Sequence, residues 1–198
     1  MDQGESAEDI AKEALEKHWR VIFNGDNYNE ENQQMLTDRG IWRIDSAVEA
    51  IHQLSSEKNV ALFDKMNVMS KEECVARESV LHDHYTGSVE MEALTLIDMI
   101  NQHVIPSVKS AGVGPKAELD EAIITLSNAV KDIHAVEDGY EKAKLARILR
   151  LETMVEIREH CDEAEAVVPS SLWTLATYKE LLFLDSHVGP QLEEIYEE

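Results

Sequence analysis

The run Met91-Glu92-Ala93-Leu94-Thr95-Leu96-Ile97-Asp98-Met99-Ile100 spaces its apolar residues three and four apart. That is the pattern of one helical face. Tyr85, Leu81, Arg77 and Cys74 extend the stripe upstream, and Ser70 with Glu73 forms a capping box that starts it. Downstream, Ile97 and Val104 carry it into His103-Val104-Ile105-Pro106-Ser107-Val108. Gly87 predicts a kink or local bulge. Pro106 predicts a bend or an end, because its ring removes a backbone donor and clashes with the preceding turn. Gly112-Val113-Gly114-Pro115 then reads as a loop.

Two more helical patterns follow. Leu119, Ala122, Ile123, Leu126, Ala129, Val130 and Ile133 make one stripe; Leu145, Ile148, Leu149, Glu152, Val155 and Cys161 make the next, over 140–164. Val167-Val168-Pro169 breaks the chain, and 177–184 reads as a last short helix before an acidic tail. Before residue 70 the elements are shorter. Ser6 with Asp9 caps a helix to about His18, Asn29 caps one ending at Gly40, and Ser46 with Glu49 caps a third. Residues 21–23 and 41–44 are candidate extended pieces, and Asn24-Gly25-Asp26-Asn27 is a turn. The expectation is an all-α fold, an antiparallel helical bundle over 70–198 with a shorter-helix portion of turns and linker over 1–69. No repeat of 20–50 residues argues for a solenoid.

Forty carboxylates face eighteen lysines and arginines, a formal charge of -22 over 198 residues. Such a surface repels phosphate backbones and anionic membranes, so nucleic acid is a poor partner. It reads first as a solvated acidic surface, and otherwise as a docking face for a basic partner. No apolar stretch approaches the roughly 20 residues of a membrane span. The first nine residues lack the features of a signal or transit peptide. Cys74 and Cys161, far apart in helical patterns, suit a reducing compartment, cytoplasm or organelle stroma.

The chemistry-bearing residues form no recognised constellation. His82-Asp83-His84 are successive on a helix and point about 100° apart, so they do not converge on one ion. A carboxylate-bridged metal bundle needs two Glu-x-x-His pairs, and only Glu49-Ala50-Ile51-His52 has that spacing. There is no Gly-rich phosphate loop and no nucleophile motif. Glu72-Glu73 and Glu193-Glu194 read as solvated pairs, and Arg147, Arg150 and Arg158 as ion-pair partners on a Glu-rich helix. Trp173, Tyr178 and Phe183 read as anchors of the last segment, or as a subunit-facing patch.

Several motifs in order resemble one family. Val21-Ile22-Phe23-Asn24-Gly25-Asp26-Asn27-Tyr28, Thr37-Asp38-Arg39-Gly40-Ile41 and Ser56-Glu57-Lys58-Asn59-Val60-Ala61-Leu62-Phe63 lead to Val68-Met69-Ser70, Tyr85 and the 91–99 run. Arg158, Cys161-Asp162-Glu163-Ala164-Glu165 and Leu172-Trp173-Thr174-Leu175-Ala176-Thr177-Tyr178-Lys179-Glu180-Leu181-Leu182-Phe183 complete the set. Over about residues 8–185 the chain is similar to the C-terminal helical region of type III glutamine synthetases. It departs at Thr174 and Ala176, where the family carries prolines, and 112–137 is similar only in general character.

The resemblance implies part of an ATP-dependent glutamate–ammonia ligase that forms large ring-shaped oligomers and serves nitrogen metabolism. Its catalytic β-barrel precedes the region matched here, so no family catalytic residue maps onto this chain. No catalytic residue, metal ligand or cofactor site is therefore expected within it. The expected role is structural, burying apolar surface against the barrel or neighbouring subunits, with Tyr85, Met91, Leu94, Trp173, Tyr178 and Phe183 as contact candidates. The alternative is a stand-alone adaptor that reuses the domain to bind another protein complex.

Overall fold

In the computed structural model, which describes residues 6–183, the shorter-helix portion and the bundle are built on different principles. The chain divides into two compact units, one ending at Ala50 and the other starting at Ile51. Residues 51–69 thus group with the bundle, whereas the sequence pattern groups them with the preceding segment.

The first unit is held by local hydrogen bonds. Helix α1, Ala7–His18, is capped by Ser6, whose Oγ accepts from the Asp9 amide at 3.2 Å. A tight turn, Trp19–Val21, stands where an extended piece was expected. Val21 is followed by a bend in which the Asp26 carboxylate accepts from the Tyr28 amide at 2.8 Å. Residues 41–44 likewise have no regular structure. Helix α2, Glu30–Asp38, is capped by Asn29 and ends at Gly40, whose φ of 79° is the left-handed value glycine tolerates. Arg39 closes this unit: its guanidinium sits 5.4 Å from the Trp19 ring centre and donates to the Ile22 carbonyl at 3.1 Å. No residue of α1 or α2 is buried. Helix α3, Ala47–His52, follows.

The second unit is a three-helix bundle preceded by helix α4, Glu57–Lys65. Its first long helix, α5, Lys71–Met99, begins at the expected capping box: Ser70 Oγ accepts from the Glu73 amide, and the Glu73 carboxylate accepts from the Ser70 amide at 2.7 Å. Those bonds hold the Glu73 carboxyl below its ordinary range. The cap's contribution is therefore present at neutral pH and fades as pH falls through that lowered pKa.

Gly87 does not break α5, which runs through it as one helix. The irregularity lies further on, in a π-helical turn Ile100–Val104, where the Ile105 amide donates five residues back to Ile100. That wide turn absorbs Pro106, which sits in the first turn of helix α6, Ile105–Ala111. Because the hydrogen-bond ladder is already offset there, the proline neither bends nor ends the helix, contrary to expectation. The end comes at Gly112, φ 68°. A mid-helix glycine costs roughly 0.5–1 kcal/mol relative to alanine. A Cβ added at Gly87 meets nothing within 4 Å. Gly87→Ala is accordingly expected to raise the melting temperature by about 2–4 °C, checked by calorimetry.

Helix α7, Lys116–Ala135, returns antiparallel after a short loop, and the third rod follows after another. That rod comprises helix α8, Gly139–Ile148, a second π-helical turn, Leu149–Thr153, and helix α9, Met154–Val167. It runs alongside α5 in the same direction, as Asp83 near Gly139 and Glu92 paired with Arg150 show. Ala143, Ala146 and Ala93 are fully buried, and such small side chains let α5 and α8 approach closely. The core joins Val89, Ala93 and Ile100 to Leu119, Leu126 and Ile133 and to Leu149 and Ile157.

The α7 stripe is as expected, with five of its members buried. The α5 stripe is corrected: Cys74, His82, Thr86, Val89 and Ala93 point inward, while Arg77, Leu81, Met91 and Leu94 are exposed. In the third rod, Ile148 and Val155 are exposed and the inward residues are Ala143, Ala146, Leu149, Ile157 and Ala164. One extra residue in a π turn rotates everything beyond it by about 100°, which a strict period cannot follow. Among the described residues the fold is all helix and turn, as the sequence implied.

Candidate functional site

Two kinds of feature remain once the core is accounted for: a polar knot between helices, and apolar residues left outside. The knot gathers around Glu78, whose side chain is 12% exposed on α5. Its Oε1 lies 2.6 Å from His52 Nδ1, on the helix before, and 3.9 Å from Nδ1 of the buried His82, one turn along. Tyr140, in the first turn of α8, stacks on His52 with ring centres 3.9 Å apart and planes 9° apart. The Lys144 ammonium sits 4.9 Å from the Tyr140 ring centre. The knot fastens His52 to α5 and α8 by hydrogen bonding and aromatic contact.

Of the His82-Asp83-His84 triplet, only His82 enters this knot; Asp83 faces Gly139 and His84 is exposed. His52, the histidine of the Glu-x-x-His match, is committed to Glu78 and Tyr140. Among the described residues no group of three or more His, Cys, Asp or Glu is placed to hold a metal ion. The knot is not legible from spacing, since His52 and Glu78 are 26 residues apart; only the Glu78–His82 step of four is open to view.

The remaining polar candidates have structural partners. Arg150 reaches Glu92 across helices at 3.2 Å, and Arg158 lies 3.5 Å from Asp162 on its own helix. Glu73 belongs to the helix cap, and Glu193-Glu194 lies outside the described residues. Ser6, Ser70 and Thr177 bond carboxylates or amides three residues on, the geometry of caps. The Cys161 thiol is pushed up to about 11 by burial and by Asp162. At pH 8 only about one part in a thousand would be thiolate. Iodoacetamide is therefore expected to label it far more slowly in the folded chain than in urea, followed by intact mass.

The six contact candidates divide. Tyr85 and Trp173 pack against the core as partly buried side chains. Thr174, where the resembled family has proline, makes a 2.8 Å hydrogen bond with His103 Nδ1, and Leu175 also packs on the core. Trp173 is thus held in its own bundle. Met91, Leu94 and Phe183 are 65%, 47% and 53% exposed. The Tyr178 side chain lies outside what the structure describes. The apolar outside of α5 continues into an open groove of about 650 Å³ lined by Val68, Met69, Ala76, Val80 and Leu81 with Glu73 and Arg77. No described helix is long and apolar enough to cross a membrane.

Comparison with known proteins gives these features a setting. Residues 7–113 match the family described as the glutamine synthetase C-terminal domain. The type-3 glutamine synthetase of Dictyostelium discoideum is 28% identical over 88% of this chain and 28% of its own length. A glutamine synthetase of Butyrivibrio fibrisolvens is 26% identical over 90% of the chain and 30% of its own length. One from Bacteroides fragilis is 26% identical over 88% and 28%. The chain thus spans less than a third of the length of the curated relatives it matches. The family match covers more than half of the chain, from α1 to beyond the end of the first rod. The chain belongs to the glutamine synthetase C-terminal domain family.

Proposed function

We propose that this chain is a non-catalytic structural and assembly domain of a glutamine synthetase, without an active site of its own. The observation that carries the reading is the first unit. Its helices α1 and α2 bury nothing, yet Trp19, Ile22, Tyr28 and Trp42 are all about half exposed or more. Helices of 12 and 9 residues are too short to be stable in water on propensity alone, so tertiary burial has to supply what is missing. A protein surface that covers these large side chains would do so, and patches of this kind mark protein interfaces. The catalytic barrel of the enzyme, or a neighbouring subunit, is the partner we assign.

The test is co-expression with the catalytic region of the glutamine synthetase from the same organism. A complex stable through size-exclusion chromatography is expected, as is the absence of glutamine formation from glutamate, ammonia and ATP by the purified chain alone. Failure to associate at micromolar concentrations would overturn the assembly role. Turnover by the chain alone, above a mock preparation, would overturn its being non-catalytic.

A further inference from the structure

We infer that the outer face of α5, centred on Gly87, docks an amphipathic helix of a partner protein whose apolar stripe is flanked by lysine or arginine. The inference rests on the assembly reading only in requiring a protein partner. Ala76, Val80, Gly87, Met91 and Leu94 fall at steps of four, seven, four and three, one stripe on the side of α5 away from the buried His82, Val89 and Ala93. Val80 and Met91 are each about two-thirds exposed. The stripe imitates a core face in the sequence, because it is as apolar as the face that is buried.

Gly87 is what turns an exposed stripe into a contact surface. Glycine in a helix interior is unfavourable and is retained where something requires it. Nothing within the described molecule does. The helix is unbroken there, the residue is not among the glycines with positive φ, and a Cβ would meet open space. The remaining reason for a missing side chain is close approach from outside, the role small residues play where two helix backbones cross. Met91 on one side and Val80 on the other would then grip the crossing element, as ridges on either side of a notch.

Charge selects the partner. Along α5 seven carboxylates stand against only Lys71 and Arg77, and the whole chain carries a charge of -22. Asp83 and Asp98 are exposed beside the stripe. A second copy of this chain would bring the same acidic flanks into contact, which is electrostatically unfavourable. A helix with basic flanks complements them.

The probe is a synthetic amphipathic helix with a Leu/Ala stripe and Lys flanks, titrated into the chain at 0.15 M salt and followed by amide NMR. Shifts are expected along residues 76–94, with none from a matched peptide carrying Glu flanks. Gly87→Leu should weaken the Lys peptide by about tenfold or more while leaving the core resonances of Leu126 and Ile100 in place. Gly87→Ala should weaken docking less while raising the melting temperature, a combination that a glycine needed by its own fold would not give. Equal affinity of wild type and Gly87→Leu, shifts spread over the acidic surface, or a homodimer broken by Met91→Lys would each overturn the inference. The two readings fail separately: loss of all association with the catalytic region sinks the assembly role. Association that Gly87→Leu leaves unchanged sinks the α5 face alone.

Discussion

Leu126→Ala is expected to cost about 2–5 kcal/mol, read as a lower urea midpoint with an unchanged slope. Leu126 lies in the middle of α7 with no exposed surface, inside the cluster that joins all three rods of the bundle. Truncation removes three carbon atoms from a close-packed interior and leaves a space the three rods cannot close without shifting together. A domain this size is stabilised by roughly 5–15 kcal/mol in total, so one such cavity is a large fraction of what holds it. Ile124→Ala is the control. That side chain, two residues away and 61% exposed, should cost under about 0.5 kcal/mol. Equal losses at the two positions would mean that α7 is not packed as described.

Glu78→Gln is expected to destabilise the second unit by about 1.5–3 kcal/mol, the range for a hydrogen bond to a charged group. The carboxylate lies 2.6 Å from His52 with His82 nearby, and at 12% exposure it has little water to fall back on. The amide keeps the shape but removes the charge and replaces one acceptor oxygen with a donor. The loss should be concentrated where His52 meets Tyr140, so His52→Ala in the Glu78→Gln background should cost less than in the wild type. A double-mutant cycle reads that coupling. Strict additivity would show that the two side chains do not interact.

The knot and the α5 face explain why some features are legible in the sequence and others are not. Caps are legible because they are local: Ser70 with Glu73, and Asn29 three residues before Asn32, need no knowledge of the rest of the chain. The α7 stripe is legible because one side of that helix is apolar and the other is not. In α5 both sides are apolar, and the buried one includes Thr86, His82 and Ala93, so spacing favours the larger residues on the wrong face. The π turns are not foreseeable in kind. Pro106 announces an irregularity, but the wide turn precedes it, and the turn at Leu149–Thr153 has no proline to mark it. The His52–Glu78–Tyr140 contacts depend on three helices meeting, which local periodicity does not encode.

For the candidate site, sequence and structure contribute different parts. Met91 and Leu94 are contact candidates by the family resemblance, and both are exposed. Tyr85 and Trp173 are candidates on the same ground but pack on the bundle core, as aromatic residues do when a terminal segment needs an anchor. The role of Gly87 becomes visible only with the helix unbroken around it and the space beside it open.

The most direct measurement of the central claim is hydrogen exchange on the chain alone and after mixing with the catalytic region of the glutamine synthetase from the same organism. Alone, amides of α1 and α2 should exchange within seconds, because those helices bury nothing, while α7 amides are protected. In the mixture, α1, α2 and the outer face of α5 should slow by about tenfold or more, with α7 unchanged. Identical exchange with and without the catalytic region would contradict the assembly role.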